Sequence, residues 1–172
     1  MKLVIVRHGD PDYSIDSLTE KGWKEVEYLS ERLAKLDVKE FYVSPLGRAR
    51  DTASLTLKKM NRTATECDWL QEFNVLIDRP DITDRKKILW DWLPQDWTQD
   101  ERFYQYDHWF ENERLQKSDA KGYYDYVTGK LINFWLSMDM SVKDTITELQ
   151  RQTMTHWYSS AISDWNVYFS VI

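Results

Sequence analysis

The sequence predicts an α/β fold: a three-layer sandwich around a mostly parallel central sheet, with a helical, aromatic-rich insertion over the carboxyl ends of the strands. Three observations predict it. Short apolar runs ending on turn residues alternate with helical periodicity through residues 1–77. A segment dense in tryptophan, tyrosine and phenylalanine follows, over residues 78–135. With 172 residues, 42% hydrophobic and 30% charged, the chain fits one domain and is long enough to bury a core.

The first run, Leu3-Val4-Ile5-Val6, has the pattern of a strand buried on both faces. It stops on Arg7-His8-Gly9 and then Asp10-Pro11. Leu18-Thr19-Glu20-Lys21-Gly22 opens a helix, with Thr19 as N-cap and Glu20 suited to the positive first turn. Trp23, Val26, Leu29, Leu33 and Leu36 keep helical spacing, which predicts an end near Asp37. Phe41-Tyr42-Val43 is the second strand. Ser44 as N-cap with Pro45 at the first helical position starts the next helix, which carries Leu46, Ala49, Ala53, Leu57 and Met60 along one side. Thr63 to Leu70 reads as a third, weaker strand leading into Gln71-Glu72-Phe73. Such a βαβαβ order predicts parallel strands joined by right-handed crossovers.

From Asp78 to Trp135, aromatic residues such as Trp90, Trp97, Tyr106 and Trp109 are interleaved with Asp, Glu and Arg. The segment is expected to be mostly helical, most of its rings packing on one another and some walling a pocket. Residues 136–172 form an atypical tail of the same single domain.

The 23 basic and 29 acidic residues give a net charge of −6, which argues against broad nucleic-acid binding. No apolar stretch approaches a membrane span and no signal-peptide pattern opens the chain, so a cytoplasmic location without membrane association is expected. The single cysteine, Cys67, excludes an internal disulfide and a cysteine-based metal cluster.

Ligands of open α/β sheets collect beyond the carboxyl ends of the strands. Arg7 and His8 end the first strand and would face the turn Ser44-Pro45-Leu46-Gly47-Arg48 that ends the second. Arg48 lies in the first turn of its helix, where backbone N–H groups and the dipole also favour an anion. Two guanidinium groups, an imidazole and a helix N-terminus at one point suit a phosphate ester.

Arg7-His8-Gly9, Leu18-Thr19-Glu20-Lys21-Gly22, Ser44-Pro45-Leu46-Gly47-Arg48-Ala49 and Leu70-Gln71-Glu72-Phe73 occur in an order that resembles the histidine phosphatase superfamily, the phosphoglycerate-mutase-like phosphatases and mutases. The resemblance implies that His8 is a nucleophile forming a phosphohistidine, that Arg7 and Arg48 hold the phosphoryl group, and that Glu72 donates a proton to the leaving oxygen. It implies neither a cofactor nor a metal, and a small-molecule phosphate ester as the partner. Mutases of the family usually carry asparagine six residues after the nucleophile. Ser14 stands there, which favours a phosphatase.

One family feature is missing. A second histidine, after a later apolar strand, should stand opposite the nucleophile, yet only His108 and His156 remain and neither follows such a strand. The tail offers a reason. Read one position out of frame with suitable synonymous codons, Met154-Thr155-His156-Trp157 yields Asp-Thr-Leu-Val. Ala161-Ile162-Ser163-Asp164-Trp165-Asn166 likewise yields His-Phe-Gly-Leu-Glu-Cys, which holds the missing histidine and, two residues on, a glycine. The pattern points to a frameshift between Tyr124 and Met138 and a non-native tail.

A sheet lacking its later strand exposes an apolar edge, which predicts reduced stability and self-association as a homodimer. The expected activity is phosphomonoester hydrolysis, weakened by the lost histidine, since one charge-stabilising donor is typically worth about 3 kcal/mol. The alternatives are a catalytically inactive phosphate-ester binding module and a protein-interaction pseudo-enzyme.

Overall fold

The computed structural model describes residues 3–81, 87–89, 92–105, 107–137 and 170–171. The chain divides into two compact units, Met1–Glu72 with Asn166–Ile172, and Phe73–Trp165.

In the first unit, β1 (Ile5–Val6) leads through the Arg-His-Gly turn into a small hairpin. Its arms β2 (Pro11–Asp12) and β3 (Ser17–Leu18) pair antiparallel, Pro11 opposite Leu18. Asp16, in the hairpin turn, has φ 47, a left-handed conformation that Asp and Asn tolerate better than most residues. Helix α1 (Glu20–Leu33) begins as expected: Thr19 Oγ1 accepts from the Gly22 N–H at 3.1 Å. It ends before Asp37, because the Lys35 and Leu36 N–H groups turn to carbonyls three residues back and tighten the last turn. Val26 and Leu33 are buried, while Leu36 lies past the helix end and is exposed.

Strand β4 (Tyr42–Val43) precedes α2 (Gly47–Met60), and β5 (Thr65–Glu66) follows it. The helix starts two residues later than Ser44-Pro45 predicts. Its N-cap position is Leu46, which has no side chain able to cap, and Ser44 reaches only the Leu46 N–H, at 3.4 Å. Beyond β5 the chain turns through a short 3-10 segment, Asp68–Leu70, so the predicted third strand is cut to its centre.

The sheet order is β1-β8-β4-β5, with β8 spanning Ser170–Val171. β4 and β5 are parallel, Tyr42 opposite Thr65, and β8 runs antiparallel to both of its neighbours. β1, β4 and β5 therefore share one direction, and the Ser170–Val171 strand is interior to the sheet rather than at an edge. β1 occupies the edge. That is why Ile5 is 46% exposed and the first strand is not buried on both faces.

Helix α2 packs on α1 and on β3. Its buried face is more polar than the apolar spacing predicts: Arg48, Thr52 and Thr56, one turn apart, are buried beside Ala49. Ala49 and Val43 form a small apolar cluster with Leu46, Ala53 and Ala64.

The second unit opens with an antiparallel ribbon, β6 (Leu76–Ile77) with β7 (Lys87–Ile88), and continues as helices α3 (Pro94–Thr98), α4 (Glu113–Gln116) and α5 (Ala120–Ser137). Its core includes Ile77, Leu89, Trp92, Phe103, Trp109 and Leu115. Edge-to-face contacts join Trp92 to Phe103 at 6.0 Å and Trp109 to Tyr124 at 5.3 Å, an arrangement the ring quadrupoles favour. Tyr104 and Tyr126 are exposed. Trp90, Tyr106, His156 and most of the 136–172 tail lie outside the described residues. Among the described residues, no helix is long and apolar enough to cross a membrane.

Candidate active site

His8 follows β1 and is buried, 6% exposed. Its Nδ1 lies 2.6 Å from the Gly9 carbonyl oxygen. A carbonyl can only accept, so Nδ1 carries the hydrogen and the in-plane lone pair of the neutral ring sits on Nε2. Burial, and after it the positive charges of Arg48 and Arg7, push the His8 pKa below its ordinary 6.5, against the opposing pull of the Gly9 carbonyl and Glu72. Near neutral pH the imidazole is uncharged. Its partner residues are set by chain geometry: the Gly9 N–H donates to Thr52 Oγ1 at 3.0 Å, and that hydroxyl donates to the Arg48 carbonyl at 2.7 Å. The turn bearing His8 is thus tied to the helix bearing Arg48.

A second close approach seats the same turn on α1. A Cβ on Gly22 would come within 2.3 Å of the Asp10 carbonyl oxygen, so only glycine lets the two segments meet.

Arg48, the second residue of α2, is 7% exposed. Nη1 lies 2.5 Å from Asp16 Oδ1 and Nη2 lies 2.9 Å from Glu72 Oε2. Glu72 is the last residue of the first unit, reached through the 3-10 turn after β5. Three of the four sequence-derived candidates, His8, Arg48 and Glu72, therefore stand together. Arg7 is exposed, and its charge still acts on His8.

The N-terminus of α2 is not left open to an anion at its first N–H. Asp16 Oδ2 accepts from Gly47 N at 2.6 Å, capping the helix from 31 positions away in the chain. The contact is tight enough that a Cβ on Gly47 would fall 2.1 Å from the Asp16 carbonyl oxygen. Asp16 and Thr52 were not among the candidates read from the sequence. The i, i+4, i+8 recurrence of Arg48, Thr52 and Thr56 was an available signal for a polar buried face. Nothing local marks Asp16, whose partners are distant in sequence.

Ser14 is exposed, and its hydroxyl donates to Asp12 Oδ1 at 2.6 Å within its own hairpin turn. Tyr13, 60% exposed, sets its ring 5.2 Å from the Arg48 guanidinium carbon. His108 belongs to the second unit, where Nδ1 meets Glu111 Oε1 at 2.7 Å. That bond, followed by the charges of Asp107 and Glu111, raises its pKa. No group of three or more His, Cys, Asp or Glu side chains suited to a metal ion occurs among the described residues. A neutral imidazole lone pair can attack an electrophile, a buried guanidinium can bind an oxyanion, and a carboxyl group can take up and return a proton.

The family model described as histidine phosphatase superfamily (branch 1) matches residues 3–117. A 2,3-bisphosphoglycerate-dependent phosphoglycerate mutase of Thermoplasma acidophilum is 33% identical over 69 residues, 34% of this chain. The match spans 34% of that enzyme's own length, about a third. No solved structure matches.

Proposed function

The chain belongs to the histidine phosphatase superfamily, whose members act through a phosphohistidine intermediate, and from that premise we propose that it hydrolyses a phosphomonoester through His8. The single observation that carries the reading is the Nδ1–Gly9 hydrogen bond, which puts the lone pair of a neutral imidazole on Nε2. Nε2 attacks phosphorus while the ester P–O bond breaks, and the leaving oxygen takes a proton from Glu72. Water then attacks the phosphohistidine, giving its proton to Glu72 as the P–N bond breaks, and inorganic phosphate leaves. Arg48 and Arg7 offset the dianion's charge, which otherwise repels a nucleophile.

An arriving phosphoryl group competes with Glu72 for Arg48, since both present oxygens to the same guanidinium. Released from the ion pair and left beside the phosphate charge, Glu72 takes up a proton from solvent and passes it to the leaving oxygen. Turnover is slow in this reading, which assigns the second, charge-stabilising imidazole to neither His108 nor His156. The tail beyond residue 136 is read as out of frame, which sequencing of the coding DNA tests: synonymous codons incompatible with the shifted reading refute it. The expected architecture, a three-layer sandwich on a mostly parallel sheet in a cytoplasmic protein, belongs to the same proposal.

A second reading is favoured by the double engagement of Arg48 by Asp16 and Glu72: a phosphate-ester binding module without turnover. Hydrolysis of para-nitrophenyl phosphate separates the two. Release of nitrophenol that His8→Ala abolishes supports the enzyme. Phosphate binding without release supports the module. Release unchanged by His8→Ala refutes the nucleophile assignment.

A further inference from the structure

We propose that Asp16 is the positioning residue of the site: it fixes the plane of the Arg48 guanidinium so that the arginine still faces His8 after Glu72 has let go. The inference rests on the phosphoryl-transfer reading above and assigns a role to a residue outside the family motifs quoted for it.

Both oxygens of the Asp16 carboxylate are engaged. One oxygen, Oδ2, accepts from the Gly47 N–H at 2.6 Å, and the other, Oδ1, accepts from Arg48 Nη1 at 2.5 Å. Backbone and side chain of two adjacent residues are thereby clamped by one rigid group. An arginine side chain has several rotatable bonds, and ordering it on substrate arrival costs entropy unless something holds it beforehand. A carboxylate bolted to the same helix end does that. Its own backbone is held too: Asp16 adopts the left-handed conformation at φ 47, and Ser17 Oγ, next in the chain, donates to Asp51 Oδ2 on α2 at 2.5 Å. The hairpin turn is therefore pinned to α2 at two places.

The other guanidinium nitrogen, Nη2, meets Glu72 at 2.9 Å, and that is the contact a phosphoryl oxygen replaces. Asp16 has no such duty. Burial works to raise its pKa, but the Gly47 and Arg48 bonds outweigh it and hold the carboxyl below 3.8, so it stays ionised across the working range.

An electrostatic role and a positioning role predict opposite signs. Asp16 places a negative charge beside an arginine meant for a dianion, so removing that charge should strengthen ground-state phosphate binding or leave it unchanged. Removing an orienting contact should weaken only the state in which Arg48, phosphorus and His8 Nε2 must align. Asp16→Asn tests this with little disturbance. Asn accepts the left-handed backbone, its carbonyl can still cap Gly47, and only the charged bond to Arg48 is lost.

The experiment measures dissociation constants of inorganic phosphate and of orthovanadate, which adopts the five-coordinate geometry of the transferring phosphoryl group when a nucleophile meets it, on wild type and D16N. Phosphate affinity is expected to hold within about threefold while vanadate affinity falls about tenfold. Lys24→Ala, which cuts the exposed Lys24–Glu20 pair on α1 and touches neither Asp16 nor Arg48, is expected to leave both constants unchanged. If D16N does not fold, Asp16→Glu replaces it, displacing the charge by one methylene with the same expected loss in the vanadate-to-phosphate ratio.

An unchanged ratio in D16N, or an equal weakening of both anions, overturns the positioning role while the phosphoryl-transfer reading survives. A wild-type protein that binds neither anion overturns both.

Discussion

Replacing Arg48 by Met keeps most of the buried aliphatic volume and removes only the guanidinium. Its consequences can be worked from the geometry. The Arg48 side chain is 8% exposed, whereas those of Asp16 and Glu72 are 43% and 27% exposed. Breaking a fully buried pair costs about 3–5 kcal/mol because a charge is stranded. Here the stranded carboxylates reach water, and about 1–3 kcal/mol is the expected loss. For a chain of this size that corresponds to a fall in Tm of roughly 3–9 °C, read through the fluorescence of the nine tryptophans.

The loss depends on pH in a definite sense. The folded-state pKa of Asp16 is depressed, so its stabilising contribution is present above the unfolded value of 3.8 and is lost as pH falls through the folded one. The stability gap between wild type and Arg48→Met therefore narrows below pH 3.8. Binding is the second readout. Charge-assisted bonds from one guanidinium to a phosphate are worth about 3 kcal/mol, so phosphate affinity should fall on the order of a hundredfold. A variant within about 0.5 kcal/mol of wild type that keeps its phosphate-induced rise in Tm would refute the site.

Four further outcomes are expected. The acid limb of kcat/KM lies below 6.5, because the neutral imidazole of His8 is the reactive form and its pKa is depressed; a limb at or above 6.5 contradicts the assignment. The same depressed pKa means that wild type loses stability relative to His8→Asn as pH falls below 6.5, since the unfolded chain binds the extra proton. Gly47→Ala forces a Cβ onto the Asp16 carbonyl at 2.1 Å and should cost about 1–3 kcal/mol, with phosphate affinity falling alongside; urea unfolding and phosphate titration check both. Phe103→Ala empties a 1%-exposed position in the second unit and should destabilise it by about 3–5 kcal/mol, seen as a lower urea midpoint, whereas a loss under about 1 kcal/mol would mean that the aromatic cluster is not its core.

What the sequence made legible was local. Thr19 caps Gly22 three residues on, a spacing that depends on nothing outside the turn, and Val26 and Leu33 face inward as their period requires. His8, Arg48 and Glu72 were legible through motifs and lie together. The misreadings share one cause: the deciding partner is remote. Ser44-Pro45 has the grammar of a helix start, but Asp16 reaches the Gly47 N–H instead, and no pattern near position 44 encodes that. Leu3–Val6 has the apolar composition of an interior strand, but strand order decides exposure and β1 is at the edge. The third strand ends early because the backbone rolls into the 3-10 turn that delivers Glu72 to Arg48. Asp16 itself is an acidic turn residue like many others until its two acceptor bonds are seen.

The most direct test is a trapped intermediate. Protein mixed briefly with para-nitrophenyl phosphate and quenched in base, which preserves phosphohistidine, is digested and sequenced by mass spectrometry. A phosphoryl group on the peptide bearing His8, absent from His8→Ala, is the predicted result. Nitrophenol release with no modified His8, or with the phosphoryl group on another residue, would contradict it.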